Sequence, residues 1–393
     1  MNDPTGDTLK SILQQLLPEI ITIRHKIHSN PELAHEEYET AALVSRTLKK
    51  YGYEVTEHIA GTGVSAVLDS GKPGKTVALR ADMDALPIQE KTDLSYRSTK
   101  EGIMHACGHD GHTATLLAAA GVLMQVKDQF SGKIKFIFQP AEETGTGAEA
   151  MIQAGILENP KVDAIFGYHN TPKSVLGFFR TKVGCIHAAQ DVFEVIIRGK
   201  GGHAAYPHTT IDPIHIGSMM VQAIQGIVSR LSCPTEPVVI SVTQFHAGRT
   251  HNVIPEEATL HGTMRSITPA SRAMLQQKLR DVITSIAKGF GATAVINFSY
   301  SFPPTINHAE ETQCALKTAR EILGDDHVAL LEEAGMASED FSYYLEKIPG
   351  CFFWVGMGVK EYNPHHPRYE FNDEVIPIAA ELLAKIAIGY LNR

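Results

Sequence analysis

Strand-like and helix-like patterns alternate along most of this chain, and this alternation constrains the fold more than any other feature of the sequence. Helical spacing of apolar residues covers residues 8–52. Short apolar runs then alternate with helical segments, which predicts strands at 76–79, 133–138, 163–167 and 351–355, and helices at 113–126, 148–157 and 375–390. This order is typical of an α/β domain with a mixed, mostly parallel sheet.

The pattern changes in the middle of the chain. There the sequence predicts a strand at 191–198, a helix at 213–231, two strands at 237–245 and 258–265, a helix at 270–290 and a strand at 292–300. The order β-α-β-β-α-β is that of the ferredoxin-like motif. We therefore expect a smaller domain at 188–303, inserted into a larger domain formed by 1–187 and 304–393.

Composition excludes several classes of protein. The formal net charge is −9 and no basic block occurs, which argues against nucleic acid or an anionic membrane as a partner. No apolar run is long enough to span a membrane. The five cysteines are scattered and odd in number, so they do not form a disulfide framework. The acidic, polar N-terminus does not resemble a signal peptide, and we expect a cytoplasmic protein.

One short segment, His105-Ala-Cys-Gly-His-Asp-Gly-His112, carries a thiol and three imidazoles. Cys107 and His109 are two residues apart, so both side chains can reach one metal ion or two adjacent ions. Thiolate and imidazole together favour zinc or another transition metal over calcium and magnesium. A loop without metal, with a small buried cysteine, is the alternative.

Further polar groups follow the predicted strands, at the edge where ligands bind in open α/β sheets. They are Asp82, Asp84, Glu142, Glu143 and His169. Adjacent glutamates are suited to a division of labour, in which one binds a metal and its neighbour takes a proton from water. Each residue alone has an ordinary structural explanation, but their convergence on one edge favours a metal centre, with room for two ions.

Several motifs of this chain resemble those of the dinuclear metal amidohydrolases, a family that includes hippurate hydrolase, N-acyl-amino-acid amidohydrolases and auxin-conjugate hydrolases. The motifs occur in family order along nearly the whole chain. They are Arg80-Ala-Asp-Met-Asp-Ala-Leu-Pro87, the cysteine–histidine segment, Gln139-Pro-Ala-Glu-Glu143, Gly199-Lys-Gly-Gly-His-Ala-Ala-Tyr-Pro-His208, Asn252-Val-Ile-Pro255 and Ser338-Glu-Asp-Phe341.

The resemblance implies a role for each residue that matches a family motif. It implies that Cys107 bridges two metals, that Glu142 is the general acid/base and that Asp84 orients a ligand or tunes the centre. The other ligands that it implies are His109, Glu143, His169 and His365. His366, the neighbour of His365, is the alternative for the last position.

The resemblance also implies roles within the inserted domain, which would act as a lid and dimerisation domain. His203 would stabilise the oxyanion, often from the partner subunit of a homodimer or a dimer-based oligomer. Asn252 and Arg265 would hold the substrate. For His105 and His112, which flank the ligand pair, we expect hydrogen-bonding or packing roles.

The expected activity is hydrolysis of the amide bond of a small-molecule N-acyl amino acid, assisted by two divalent transition metals. Zinc and manganese are the first choices for the metals, with nickel and cobalt as alternatives. Aminoacylases and related carboxypeptidases usually have histidine in place of Asp82 and aspartate in place of Cys107, which places the chain in the amidohydrolase branch. Three alternatives are a dipeptidase or carboxypeptidase of the same superfamily, a hydrolase with Cys107 as nucleophile and a non-catalytic binding protein.

Overall fold

The structure, a computed structural model, describes residues 4–393. Its helices are α1 (Pro4–Ser29), α2 (Tyr38–Lys50), α3 (His109–Gln125), α4 (Gly147–Gln153), α5 (Pro213–Gly226), α6 (Pro269–Gly289), α7 (Ala309–Leu323), α8 (Ser342–Leu345) and α9 (Val375–Leu391). Its strands are β1 (Val55–Ile59), β2 (Gly63–Asp69), β3 (Thr76–Asp82), β4 (Lys133–Gln139), β5 (Ala164–Thr171), β6 (Phe179–Thr181), β7 (Gly184–His187), β8 (Ala189–Arg198), β9 (Gly202–His203), β10 (Val238–Ala247), β11 (Val253–Ile254), β12 (Glu257–Ser266), β13 (Thr293–Phe302), β14 (Thr305–Asn307), β15 (Val328–Leu330) and β16 (Gly350–Gly356).

The chain forms two compact units. The first comprises residues 1–186, 306–333 and 340–393, and the second comprises 187–305 and 334–339. Along the described part of the chain, no helix combines the length and the apolar character that crossing a membrane requires.

The first unit is built on an eight-stranded sheet in the order β1-β2-β4-β3-β5-β16-β6-β15. β3 pairs in parallel with β4 and β5, and β16 pairs in parallel with β5. Antiparallel pairs occur where β2 joins β1 and β4, and where β6 joins β16. The mixed, largely parallel α/β sheet that the sequence predicts is thus confirmed.

The helix α3 lies at the centre of this unit. Its residues from His109 to Leu123 are all buried, and it packs against α1, α9 and β3. A helix that is buried on every side needs apolar residues all round, and its many alanines let neighbouring backbones approach closely. The cysteine–histidine segment leads directly into this helix, so its side chains are anchored by a fully buried element.

Several predicted boundaries in this unit are wrong by three or four residues, among them the start of α3, at His109 rather than 113, and the end of β3, at Asp82 rather than 79. The strand expected at 163–167 is β5, which continues through His169 to Thr171 because it pairs along that length with β16. The helix expected at 148–157 ends at Gln153, shortly before Gly155, whose φ is +81°. Pairing with a neighbouring strand and a glycine in the left-handed region thus moved the ends of β5 and α4 away from the local pattern.

The second unit contains a four-stranded antiparallel sheet in the order β10-β12-β8-β13. α5 and α6 pack against this sheet around their own apolar core. Asp212 caps α5, and Thr268 forms a capping box with Ser271 at the start of α6. Both caps precede a proline at the first helical position, where its missing N–H costs nothing. In chain order the elements run β8-α5-β10-β12-α6-β13.

Candidate metal centre

The ends of three strands position the polar residues that the sequence singles out in the first unit. β3 ends at Asp82, two residues before Asp84, and β4 ends at Gln139, just before the turn that carries Glu142. His169 lies within β5 rather than after it. Because β4, β3 and β5 are neighbours and run in parallel, these residues meet at one edge of the sheet.

A glycine turn directs the two side chains of the Cys-Gly-His sequence. Gly108 has a φ of +99°, and a Cβ at this position would lie 2.4 Å from Asn170 Oδ1 and 2.8 Å from the Tyr369 hydroxyl. Both the left-handed backbone and the close contact require glycine here. The turn ends one residue before α3, so Cys107 precedes the helix and His109 begins it.

Two groups of possible metal ligands share Cys107. The ligand atoms of Cys107, His109 and His169 all lie within 4.8 Å of one another, and the same holds for Cys107, Glu143 and His365. Cys107 Sγ lies 3.3 Å from His169 Nε2, and His365 Nε2 lies 3.3 Å from Glu143 Oε1. A thiol common to two ligand groups could serve two metal ions, each with a group of its own.

Asp84 contacts two sides of this arrangement. One carboxylate oxygen lies 3.1 Å from His109 Nδ1, and the other accepts the backbone N–H of Glu143 at 3.0 Å. The first contact favours the tautomer of His109 in which Nδ1 carries the proton and Nε2 is available to a metal. Asp84 thus contacts the ring of His109 and the backbone of Glu143, two of the possible metal ligands.

The donor set has the character of a metal site. Among the described residues, His109 Nε2 is a buried polar atom without a hydrogen-bond partner, and it lies 3.9 Å from Glu143 Oε1. Buried polar atoms are seldom left in this state, and an ion is one way of satisfying them. Because one thiol, three imidazoles and one carboxylate converge here, the residues fit divalent transition metals.

Burial and neighbouring charges shift the pKa values of two of the possible ligands. Burial raises the pKa of the Cys107 thiol, and the carboxylate of Glu143 raises it further. Burial also lowers the pKa of His169, and the neighbouring His112 lowers it further, so His169 is neutral and can act as a ligand. A cation would reverse the effect on the thiol, because a coordinated thiol is deprotonated.

The two histidines that sequence could not separate have different surroundings. His365 has its backbone N–H bonded to Ala106, beside Cys107, and its ring reaches Glu143. The ring of His366 instead stacks on Tyr362, with centroids 4.3 Å apart, and its Nδ1 accepts the N–H of Arg368. Only His365 of the two belongs to a group of ligand atoms in the described part of the chain.

Glu142 is buried beside the possible metal ligands, with 7% of its surface exposed. One of its carboxylate oxygens lies with His109 and Glu143 in a third group of possible ligand atoms. The backbone N–H of Asp340 donates to its Oε1 at 3.4 Å. Its carboxylate is therefore close enough to the ligands to exchange a proton with a group bound there.

Three further candidates lie in the second unit. His203 is exposed on β9, which pairs with β11, and the carbonyl of Asn252 accepts the N–H of Ala204 at 3.0 Å. The structure thus brings His203 and Asn252 together. Arg265 lies elsewhere in this unit, on β12, and its Nε donates to the carbonyl of Met336 at 3.2 Å.

The sequence did not indicate the partners of several buried residues that lie next to the site. Asp82 holds the Nδ1 of His112 at 2.6 Å, and the Nε2 of that ring meets Asn170 Oδ1 at 2.7 Å. Arg80 joins Asp82 to Asp340, with both ion pairs at 2.7 Å. Arg80 and Asp340 stand in quoted motifs, but nothing in their spacing indicates that they pair. In contrast, both ring nitrogens of the buried His105 lack a partner among the described residues.

Comparison with known proteins now identifies the family. The sequence model of peptidase family M20/M25/M40 matches residues 78–388. The chain belongs to this family. It is 41% identical to thermostable carboxypeptidase 1 of Saccharolobus solfataricus, across 98% of this chain and 99% of that protein. It is 40% identical to hippurate hydrolase of Campylobacter jejuni, across 96% and 99%.

A solved structure of another family member has the same fold. The YXEP protein of Bacillus subtilis, described as a dinuclear metal binding peptidase from the M20 family, superposes with a TM-score of 0.84 and 34% identity. The match covers 96% of this chain and 99% of that one. Family membership confirms the resemblance that the motifs indicated.

Proposed function

We propose that this protein is a metal-dependent amidohydrolase that cleaves N-acyl amino acids into a carboxylic acid and a free amino acid. The observation that carries the proposal is the thiol of Cys107, shared by two groups of ligand atoms, with the carboxylate of Glu142 beside them. A metal centre with an adjacent general base is the machinery that amide hydrolysis needs. The similarity to hippurate hydrolase supports this choice of substrate class.

The residues that would hold two metals are Cys107 as the bridge, with His109, Glu143, His169 and His365 as the remaining ligands. We propose zinc or manganese, with nickel and cobalt as alternatives, because thiolate and imidazole suit these ions. Bound metals would polarise the substrate carbonyl and lower the pKa of water from 15.7 to about 7.

The chain itself supplies proton transfer and orientation. Glu142 takes a proton from water as the water oxygen bonds to the carbonyl carbon. It then gives this proton to the leaving nitrogen as the carbon–nitrogen bond breaks, so the products are an acid and an amine. Asp84 keeps His109 in the tautomer whose Nε2 faces the site. We assign oxyanion stabilisation to His203 and substrate binding to Asn252 and Arg265.

The domain roles belong to the same proposal. Residues 1–187 and 304–393 would form the metal-binding catalytic domain, and 188–303 an inserted ferredoxin-like lid and dimerisation domain. β10 is an edge strand of the second unit, with exposed Val239 and Phe245, and such an edge can pair with a second copy. The proposed state is therefore a homodimer or dimer-based oligomer, in the cytoplasm.

Two alternatives to this activity each have one observation in their favour. A peptidase of the same family is the second candidate, since thermostable carboxypeptidase 1 is as similar to this chain as hippurate hydrolase is. A cysteine nucleophile draws support from the 3.3 Å contact between Cys107 and His169. However, burial and Glu143 raise the pKa of this thiol, and this mechanism gives no role to His365.

The test is a substrate panel assayed on protein loaded with one defined metal at a time. The panel contains N-benzoyl, N-acetyl and longer N-acyl amino acids together with dipeptides. We expect the highest kcat/KM among the N-acyl amino acids. A preference for dipeptides across all metals would replace the proposal with a peptidase.

The variant Glu142→Gln is the matched control for this assay, because it preserves shape and removes the base. It should retain its metals and lose on the order of 10²–10⁴-fold in kcat. Turnover close to that of the wild type would exclude Glu142 as the proton carrier.

A further inference from the structure

Glu37 carries a buried carboxylate that is not needed to cap its own helix. Glu37 is the residue before α2, but its side chain does not cap this helix. Glu32 does so instead, accepting the backbone N–H groups of Glu39 and Thr40 at 3.1 and 2.9 Å. Glu37 has no exposed surface, and a carboxylate buried without a structural task in its own helix calls for an explanation.

The side chain of Glu37 reaches the turn that carries the paired glutamates. Its Oε1 accepts the N–H of Ala141 at 2.9 Å and that of His35 at 3.0 Å. Its Oε2 accepts the hydroxyl of Thr62 at 2.5 Å. Ala141 lies 104 residues from Glu37 in sequence and immediately precedes Glu142.

Ala141 has a backbone conformation that needs external support. Its φ is +55°, in the left-handed region that residues other than glycine rarely adopt. Such strain persists only where the surroundings enforce it, and it is frequent at functional sites. The hydrogen bond from the Ala141 N–H to Glu37 is one contact that holds the turn in this conformation.

A second carboxylate holds the other side of the same turn. Asp84 accepts the N–H of Glu143 at 3.0 Å, so the backbone groups on both sides of Glu142 donate to buried carboxylates. The direction of the Glu142 side chain is set by the peptide units that flank it.

The segment that bears Glu37 is itself anchored. The carbonyl of Glu32 accepts the N–H of Ala85 at 2.8 Å, next to Asp84. The ring of His35 contacts the hydroxyl of Thr146 at 2.8 Å, at the far end of the glutamate turn. The segment from Glu32 to Glu37 therefore forms hydrogen bonds on both sides of Glu142, beside Asp84 and at the glutamate turn. It contributes none of the proposed metal ligands.

We propose that Glu37 is a positioning residue for hydrolysis, which holds the strained Ala141 turn so that Glu142 faces the metal ligands. The inference rests on the proposed function, because the direction of Glu142 matters to turnover only if Glu142 carries the proton. Glu37 contacts none of the proposed ligands, so its loss should affect turnover while metal binding persists.

Two substitutions separate the hydrogen bond from the charge. Glu37→Gln keeps an oxygen that can accept both N–H groups, whereas Glu37→Met fills a similar space without an acceptor. Burial raises the pKa of Glu37 to about 7, although the Thr62 hydroxyl opposes the rise and Asp84 adds to it, so glutamine is a close mimic of the protonated side chain. Glu32→Met is the matched control, since it removes a buried carboxylate of the same segment that caps α2.

We expect Glu37→Met to keep the wild-type metal content and KM and to lose about 10–100-fold in kcat, the usual effect of removing an outer partner of a site. Glu37→Gln should stay within about 3-fold of wild type. Glu32→Met should lower the thermal midpoint but leave kcat per folded, metal-loaded chain unchanged. Wild-type kcat in Glu37→Met, or equal losses in Glu37→Gln and Glu37→Met, would overturn the proposal.

A crystal structure of Glu37→Met provides a test that does not depend on activity. The proposal expects Ala141 to leave positive φ or the Glu142 carboxylate to move, and an unchanged turn would contradict it. The assay also separates the two hypotheses. If Glu142→Gln remains active, the proposed function fails; if Glu142→Gln is inactive but Glu37→Met is not, only the role of Glu37 fails.

Discussion

Asp84 Oδ1 lies 3.1 Å from His109 Nδ1, and both side chains are buried. A neutral imidazole that donates through Nδ1 presents the lone pair of Nε2 to a metal, and in this protein that Nε2 has no hydrogen-bond partner among the described residues. The contact thus fixes both the orientation and the tautomer of a proposed ligand. The other carboxylate oxygen of Asp84 accepts the backbone N–H of Glu143, so one side chain contacts two of the proposed ligands.

Removing the Asp84 carboxylate should weaken metal binding. We expect Asp84→Ala to lower metal affinity by about 10–100-fold, because neither His109 nor the Glu143 backbone would then be held. Competition with a chromophoric chelator measures the affinity. The exposed Asp93→Asn is the control and should match the wild type. An unchanged affinity in Asp84→Ala would show that Asp84 does not support the ligands.

Metal content should depend on the shared thiol and on the turn glutamate. Cys107→Ala and Glu143→Ala should each release metal and abolish turnover, because both residues belong to the converging groups. Elemental analysis of purified protein provides the measurement. Cys314→Ala, at a buried cysteine on α7, should keep its metal. Full metal content in both site variants would refute the assigned centre.

The adjacent histidines should behave differently. His365→Ala removes a ring that reaches Glu143 and should lower metal content and kcat by at least about 10-fold. His366→Ala removes a ring that stacks on Tyr362 and should change both by less than about 2-fold. Parallel elemental analysis and kinetics compare the pair. The reverse pattern would assign the last ligand to His366.

Mixed oligomers should show whether His203 acts in the partner's site. His203→Ala and Glu142→Gln should each be inactive alone, because one lacks the proposed oxyanion donor and the other the base. If His203 acts across a dimer, mixing the two proteins should restore part of the activity through hybrid sites. Subunit exchange is verified by mass spectrometry. No recovery after proven exchange would mean that His203 acts within its own chain or not at all.

Because of His28, the free energy of unfolding should fall as the pH becomes alkaline. Burial alone would lower the pKa of His28, but hydrogen bonding and attraction to Asp110, with a further hydrogen bond to Glu90, raise it to about 9. Because the pKa is raised on folding, the stabilisation is fully present below about 6.5 and is lost as the pH rises through about 9. A shift of this size corresponds to on the order of 3 kcal/mol.

Thermal midpoints of wild type and His28→Gln, measured from pH 6 to pH 10, provide the comparison. The advantage of the wild type should be largest near pH 6 and should shrink toward pH 10. His327→Gln, at an exposed position, should follow the wild-type profile throughout. A difference between wild type and His28→Gln that does not change with pH would mean that His28 contributes by packing alone.

Local patterns of the sequence were enough to predict the architecture of the first unit and much of the candidate site. Apolar periodicity indicated the parallel strands, and strand ends indicated where Asp84, Glu142 and Glu143 would meet. This worked because side-chain burial repeats at the period of each element, and parallel strands end at a common edge. The spacing of Cys107 and His109, with one residue between them, lets both side chains reach a metal, and the other polar groups at the strand ends made a metal centre the favoured interpretation.

The tertiary structure decided the features that depend on contacts between residues far apart in the sequence. The motif favoured His365 as the last ligand but could not exclude His366, because their difference arises from packing beside Ala106 and Tyr362. The sequence indicated no role for Glu37, whose hydrogen bond to Ala141 spans 104 residues. Such contacts form only after the elements have packed, and no local periodicity encodes which buried donor will meet which buried acceptor.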